Sequence, residues 1–388
     1  MRIALFTDTF PPEVNGVANT VERSAKELAK RGHTVCVFTV SKLSAKELRK
    51  QSGGAYGVET IPSLGVPIYL GVRVVPPVGL ALRKIARFKP DILHAHTPFS
   101  LGWEAVWAAR FLNVPLVGTH HTFFDYYLKH IHLDYSWAKH LTWKLTVWYY
   151  NRCDLVISPT RSLADGLVEN GLKRPHEVLA NGTDTDFFRP SSDKSQSKSR
   201  LGLSEKVLIH LGRLSYEKSV DEVIRAFALL LEKEKDATLV IVGDGPSKAE
   251  LEALARELGI ERRVRFTGFI LGKELLGYLQ AGDVFVSASK SENMPLAFIE
   301  AMATALPIVA VRSLGLTEMI EHEKNGYLVA PGDRGAIAGR SLTLLQNVEL
   351  RERFGAHSRT LSEKYSEAAV TERLEHTYTK VREAHART

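Results

Sequence analysis

The sequence predicts an α/β protein made of two doubly wound domains, and three observations carry that reading. Short apolar runs alternate with helix-period segments from the first residues onward. The alternation stops at a polar stretch and then restarts. The chain has 388 residues, more than one ordinary core takes up. RIALFT, NTVERSAKELAKRG and HTVCVFTV read as strand, helix and strand, with Gly32 placed as a helix stop. DILHAH, WEAVWAARFLN, PLVGTHH and DLVISPT continue the series. Buried strands ended by polar residues and joined by helices mark a parallel sheet with helices on both faces. RPSSDKSQSKSRLGLSE, residues 189–205, reads as a linker or exposed loop. After it come KVLIHLGRL, a helix over 219–233, ATLVIVGDG, a helix over 247–258 and RVRFTGFI. A helix over 273–280, DVFVSAS, a helix over 295–304, PIVAV, NGYLVAPGD and a helical end follow. The expected domains are therefore a Rossmann-like half over 1–190, a second over 191–365, and an amphipathic helix in 366–388 crossing back to the first. Ligands in such sheets bind beyond the carboxyl ends of the strands, which here predicts a cleft between two facing domains.

Composition narrows the class. Hydrophobic residues make up 44% and charged residues 24%, as in a soluble globular protein. No apolar run approaches the roughly 20 residues that cross a bilayer, and MRIALFTDTFPPEVNG lacks signal-peptide anatomy. Two cysteines, Cys36 and Cys153, suit a reducing cytoplasm and no disulfide framework. Net charge is unevenly spread: residues 1–190 hold 23 Lys/Arg against 16 Asp/Glu, a balance of +7, whereas residues 191–388 hold 28 against 28. Between Thr60 and Pro90 stand Arg73, Arg83, Lys84, Arg87 and Lys89 with no acid. That asymmetry points to an anionic surface met by the first half. Neither half has a G-x-G-x-x-G turn, and Gly243-x-Gly245 alone argues weakly for anything, which disfavours a nicotinamide dehydrogenase.

Two stretches carry chemistry. In LGRLSYEKSVDEVIRAF a strand ends at His210–Leu211, Gly212 allows a tight turn, and Arg213 and Lys218 follow. Ser219 and Glu222 have the spacing of a capping box. Two cations beside a helix N-terminus make a phosphate site, and two solvated surface bases are the competing reading. In SENMPLAFIE two carboxylates, Glu292 and Glu300, flank an apolar run after DVFVSAS. Pro295 suits a first helical turn, Asn293 or Ser291 can cap it, and the amides of Met294, Leu296 and Ala297 are then available to an anion. Along a helix the two acids lie roughly 12 Å apart, so each can hold one end of an elongated ligand. A nucleoside diphosphate sugar has that shape.

GRLSYEKSVDEVI, VGDGP, FTGFI, SENMPLAFIEAMATALPIVA and NGYLVAPGD, in order, with NGTDTDFFRP and PPEVNGVANTV, resemble the family-4 retaining glycosyltransferases of GT-B fold over nearly the whole chain. The resemblance implies that Arg213 and Lys218 stabilise the departing diphosphate, that Glu292 contacts the donor sugar, and that Glu300 binds the ribose hydroxyls. It places Phe269 and Ile270 beside the base, Asn293, Met294, Pro295 and Leu296 along the donor, Gly16 where backbone approaches a ligand, and His121 at the reacting sugar. Ala305 stands where the family more often has glycine, and LGLTEMI lacks the usual Gly-Pro character; both concern loop shape. His94, His96, His120 and His121 end two strands, and a metal site there is the competing reading. The Arg213/Lys218 pair already supplies the cation that a diphosphate needs, so neither metal nor cofactor is assigned. His96 is open to a simpler reading, as a polar loop residue.

The acceptor is read from the first half. Residues 123–154 are crowded with aromatics and interleaved with Lys129, Lys139 and Lys144, while RKIARFKP is basic with apolar neighbours. Such segments suit an anionic membrane interface, and an ordinary core with a solvated basic face competes. THHTFFDYYLKH is similar to diacylglycerol glucosyltransferases and plant-type sulfolipid synthases of the same family. The combined expectation is an enzyme peripheral on the cytoplasmic face of the cell membrane. It moves a hexose, foremost glucose from UDP-glucose, to a lipid hydroxyl such as that of diacylglycerol, with retained α configuration. Arg83, Lys84, Arg87, Lys89, Phe123 and Tyr126 are the membrane and acceptor candidates. A soluble metabolite or glycan acceptor, or a sugar-nucleotide epimerase or sensor, are the alternatives. Nucleic acid is not expected as a partner, because no recognition motif accompanies the basic half.

Overall fold

The computed structural model describes residues 1–13, 15–51, 53–65, 73–76, 79–123 and 135–387. They form two compact units: Met1–Gly182 with Glu367–Thr388, and Thr183–Ser366.

The first unit runs β1 (Arg2–Thr7), α1 (Gly16–Lys30), β2 (Thr34–Thr39), α2 (Ala45–Gln51), β3 (Gly57–Thr60), a short pair β4 (Leu64–Gly65) and β5 (Arg73–Val74), and α3 (Leu82–Phe88). It continues with β6 (Ile92–Ala95), α4 (Ser100–Leu112), β7 (Leu116–Thr119), α5 (Ser136–Tyr150), β8 (Leu155–Ser158), α6 (Arg161–Glu169) and β9 (His176–Val178). Its main sheet is parallel in the order β3-β2-β1-β6-β7-β8-β9. Every residue of β6, β7 and β8 is buried, as continuous apolar strands covered on both faces require.

The second unit runs α7 (Lys194–Leu201), β10 (Val207–Leu211), α8 (Val220–Leu231), β11 (Thr238–Val242), α9 (Lys248–Glu257), β12 (Val264–Gly268), α10 (Gly272–Ala281) and β13 (Val284–Ser287). Then come α11 (Leu296–Ala303), β14 (Ile308–Val311), α12 (Leu316–Met319), β15 (Gly326–Val329), α13 (Arg334–Gln346) and α14 (Val348–Ser362). Its sheet is parallel in the order β12-β11-β10-β13-β14-β15. The last helix, α15 (Glu367–His385), belongs to the first unit, where buried Tyr378 and Leu374 join the core beside Ile3, Leu5 and Val37.

The polar stretch 189–205 is not the linker that its composition suggests. It contains α7, which the Asp193 side chain caps through the Gln196 amide. Lys198, 5% exposed, extends from this helix to the buried Asp283 carboxylate at 2.7 Å. A lysine so buried needs such a partner, and no local pattern announces it.

α11 ends in a Schellman motif: Leu306 N–H donates to the Ala301 carbonyl at 3.0 Å and Ala305 N–H to that of Met302 at 2.9 Å. Ala305 takes the left-handed position with φ 59°, where glycine carries no Cβ penalty. Ala305→Gly should therefore stabilise the protein by about 1 kcal/mol, and Ala305→Val should destabilise it, both read from urea unfolding midpoints. Equal midpoints for alanine and glycine would mean that the turn carries no strain.

Candidate functional site

In the second sheet the strand order reverses at β10 and β13, the place where open α/β sheets leave a crevice at their carboxyl ends. Most of the donor candidates follow these two strands. After β10, Gly212 turns the chain and Arg213 stands exposed, without a side-chain partner among the described residues. Lys218 ends a 3-10 turn, Tyr216–Lys218, and its Nζ donates to Glu292 Oε1 at 2.7 Å. Glu292 is 7% exposed, whereas the Lys218 side chain keeps 25%.

The capping box expected at Ser219 and Glu222 does not form. Ser219 is itself in the left-handed region at φ 48° and makes no side-chain cap; Glu222 instead takes a two-pronged bond from Arg334, at 2.7 and 2.8 Å. The 3-10 turn that positions Lys218 forces this path, and sequence spacing does not register it. Nor do Ser291 or Asn293 cap α11. Pro295 is the N-cap residue, with no side-chain hydrogen bond, which leaves the first amides of α11 uncapped by any side chain. Glu300 is buried on the same helix, while Phe269 is 53% exposed and Ile270 half-buried just after β12.

Two glycines hold these loops together. A Cβ on Gly315 would come within 1.5 Å of the Asn293 carbonyl oxygen, and Gly315 N–H donates to the Glu292 carbonyl at 3.1 Å. The LGLTEMI stretch thus clamps the acidic loop, and sequence reasoning missed it because the partner lies 22 positions away. Gly243, at φ 141°, lies against the Gly212 carbonyl, where a Cβ would sit 1.9 Å from the oxygen. The weak Gly243-x-Gly245 signal is backbone packing between two turns. Beneath them His210 is buried; its Nδ1 donates to the Val286 carbonyl at 3.0 Å and its Nε2 has no partner among the described residues. Burial holds this imidazole neutral, with its pKa lowered to about 4.

The first sheet reverses at β1 and β6, and a second polar group gathers there. Asp8 follows β1 and accepts from the Thr97 and Ser100 hydroxyls and, at 3.1 Å, from Leu101 N–H; desolvation raises its pKa against these bonds. These residues were not read from the sequence; an acid directly after an apolar strand is the signal that marks Asp8. His94 lies between the Tyr378 and Thr119 hydroxyls, 2.6 Å from each. His96 is a loop residue, directly after β6, but a buried one, and its Nδ1 shares a 3.1 Å hydrogen bond with Nε2 of His121. Burial lowers the pKa of His94 and His120 to about 3, of His121 to about 4, and of His96 well below the usual value. Gly16 begins α1 with open space around it.

The surface candidates are less alike than their sequence suggests. Arg83, Arg87 and Lys89 are exposed, but Lys84 pairs with Glu59 at 3.0 Å and donates to the Thr60 carbonyl at 2.8 Å. Phe123 is packed inside, against His120 and Trp143. Tyr126 lies outside the described residues.

Residues 14–187 match the family described as Glycosyltransferase Family 4, and residues 191–361 match Glycosyl transferases group 1. An alpha-monoglucosyldiacylglycerol synthase of Streptococcus pneumoniae is 33% identical over 84% of this chain and 75% of its own. A sulfoquinovosyl transferase of Arabidopsis thaliana is 32% identical over 96% of this chain and 72% of its own. The crystal structure of Anabaena HepE in complex with UDP superposes at a TM-score of 0.80, with 23% identity, over 98% of this chain and 100% of that one.

The buried histidines make stability fall with acid. Each is neutral when folded and binds a proton when unfolded below the ordinary value of 6.5. Unfolding free energy should thus decline from pH 6.5 down to about 4, the depressed value of His210 and His121. His210→Gln should flatten that slope by one proton, about 1.4 kcal/mol per pH unit. Urea titrations across this window check it, and parallel slopes would mean that His210 titrates normally.

Proposed function

The chain belongs to the family-4 retaining glycosyltransferases of GT-B fold, and on that premise we propose that it transfers glucose from UDP-glucose to the hydroxyl of a lipid such as diacylglycerol. The observation that carries the donor half is the Lys218–Glu292 pair at the reversal point of the second sheet, with exposed Arg213 on the same β10 loop. An ammonium has three donors, and Glu292 takes one; the others remain for phosphate oxygens. Arg213 supplies a second cation, and the uncapped start of α11 adds its dipole. Glu292 and Glu300 anchor hydroxyls of the sugar and ribose, and exposed Phe269 with Ile270 lies against the base. Asn293, Met294, Pro295 and Leu296 shape the donor loop.

In the reaction the bond from the anomeric carbon to the β-phosphate oxygen breaks and a bond to the acceptor oxygen forms on the same face. The acceptor proton passes to the released phosphate. Arg213 and Lys218 stabilise the charge on that phosphate, in the role of an oxyanion hole. Neutral His121 is the hydrogen-bonding group that the first unit offers a sugar hydroxyl, and Gly16, with open space around it, leaves room for a ligand. The side-chain cations stand in for a divalent metal. The lipid acceptor is supported by the diacylglycerol in the name of the pneumococcal relative. UDP-glucose is supported by the HepE complex with that nucleotide sugar, at a TM-score of 0.76. Exposed Arg83, Arg87 and Lys89 draw the protein towards an anionic membrane surface.

The test is transfer from a panel of labelled sugar nucleotides into a lipid extract, in the presence of EDTA. An α-linked glucolipid made from UDP-glucose is the expected product, and a water-soluble product would overturn the lipid acceptor. Arg213→Ala and Lys218→Ala should each lower turnover by about a hundredfold or more. Arg213 is the cleaner probe, because among the described residues its side chain has no partner to lose, whereas Lys218→Ala also strips Glu292 of its counter-charge. Wild-type turnover in Arg213→Ala would remove the leaving-group role.

A further inference from the structure

α5 buries one side, and its outer side, which also carries Ser136, His140 and Lys144, keeps an apolar stripe uncovered by the described residues. Its inner residues Ala138, Val147, Tyr149 and Tyr150 are buried in the first unit. On the outer side Trp137, Leu141, Leu145 and Trp148 recur at helical spacing and are 62%, 46%, 54% and 50% exposed. The stripe continues through packed rings: Trp148 lies 4.5 Å from Trp103 of α4, and one turn further along α4 Trp107 and Phe111 are 40% and 66% exposed. A continuous exposed apolar patch of this kind marks a surface that something covers. α5 has 15 residues, about 22 Å, short of the roughly 30 Å core of a bilayer. Among the described residues no helix is long and apolar enough to cross a membrane.

Charge identifies the occupant. Apart from Lys139, which has a partner of its own, residues 135–153 contain the bases Lys144 and Arg152 and no acid. Glu104, the acid of α4, is turned inward, accepting from the Gly79 and Ala81 amides at 2.8 Å each, and Asp154 accepts from Leu116 N–H at 2.8 Å. Arg152 lies 4.0 Å over the Trp148 ring, at the end of the stripe. A second copy of the chain meeting this face with its own would set base against base. An anionic bilayer matches both the bases and the aromatic-aliphatic stripe.

We propose that the outer face of α5, with the Trp107–Phe111 turn of α4, inserts into the interface of an anionic lipid bilayer and anchors the enzyme there by apolar contact. The proposal deepens the lipid-acceptor reading by naming the surface that meets the lipid. It differs from attachment through the α3 bases, which salt would abolish.

The experiment is vesicle flotation of the full chain with tryptophan emission, using phosphatidylglycerol and phosphatidylcholine vesicles. With anionic vesicles emission should shift to the blue, because Trp107, Trp137 and Trp148 leave water. Once bound, the protein should stay bound at about 1 M NaCl, where the screening length is near 3 Å. The triple variant Trp137→Gln/Leu141→Gln/Leu145→Gln should lose about a hundredfold in partitioning, with unchanged circular dichroism. Release of bound wild type by salt, or equal partitioning of the variant, overturns the proposal. So does a blue shift that depends on protein concentration without lipid, which would mark a second copy as the occupant. Vesicle binding requires no turnover. A chain that binds vesicles but transfers no sugar would defeat the functional reading and leave this one standing, and active chain that ignores vesicles would do the reverse.

Discussion

Both units depend on one topological constraint: the parallel sheet winds outward in both directions from a central pair of strands. At that pair, β1 with β6 and β10 with β13, the helices that follow go to opposite faces of the sheet. The carboxyl ends of the two strands are left uncovered. Polar side chains gather there because a strand covered on both faces releases them only at its ends. Asp8 and His96 hang from the first pair; Arg213, Lys218 and Glu292 hang from the second. Apolar strands packed on both faces fix the ends, and the loops beyond them supply the polar groups.

In the second unit the opposite end of the same strands is secured by a buried charge. Asp283, 1% exposed, directly precedes β13; it takes the Lys198 ammonium at 2.7 Å and the Val207 amide at the start of β10 at 2.8 Å. One carboxylate thus ties α7, β10 and β13 at their base. Burying these charges costs solvation that only close pairing offsets, so the group specifies an arrangement more than it adds stability. At the other end, Gly243 against Gly212 and Gly315 against Asn293 bring loop backbones closer than any side chain would allow. The site is rigid below and held by backbone above.

The strands and most helices were legible in the sequence because apolar periodicity is a local property. That Arg213, Lys218, Glu292 and Glu300 lie beyond the ends of β10 and β13 was legible for the same reason, because polar residues follow apolar runs. What failed was pairing at a distance. The spacing of Ser219 and Glu222 is identical whether or not a cap forms, and the 3-10 turn before it together with Arg334, more than a hundred positions on, decided the matter. α7 looked like a linker because the residue that needs its lysine, Asp283, is 85 positions away. Gly315 looked like a departure from a motif until its neighbour was known. Ala305 shows the converse: the sequence flagged an alanine where glycine is usual, and the backbone keeps the left-handed turn regardless, at a cost that the two Schellman hydrogen bonds offset.

The asymmetry of the Lys218–Glu292 pair explains how a structural contact can also serve a ligand. Were both ends sealed from water, the ammonium would need all its donors satisfied by protein, and a phosphate could approach only by breaking the pair. Here the carboxylate is the buried partner and the ammonium the accessible one, so the acid fixes where the cation sits while the cation still faces outward. Removing the acid would let the lysine wander; removing the lysine would leave the carboxylate buried without its counter-charge. Position and charge are therefore set by different residues of one pair, and the loop can hold a cation ready for an anion before any ligand arrives.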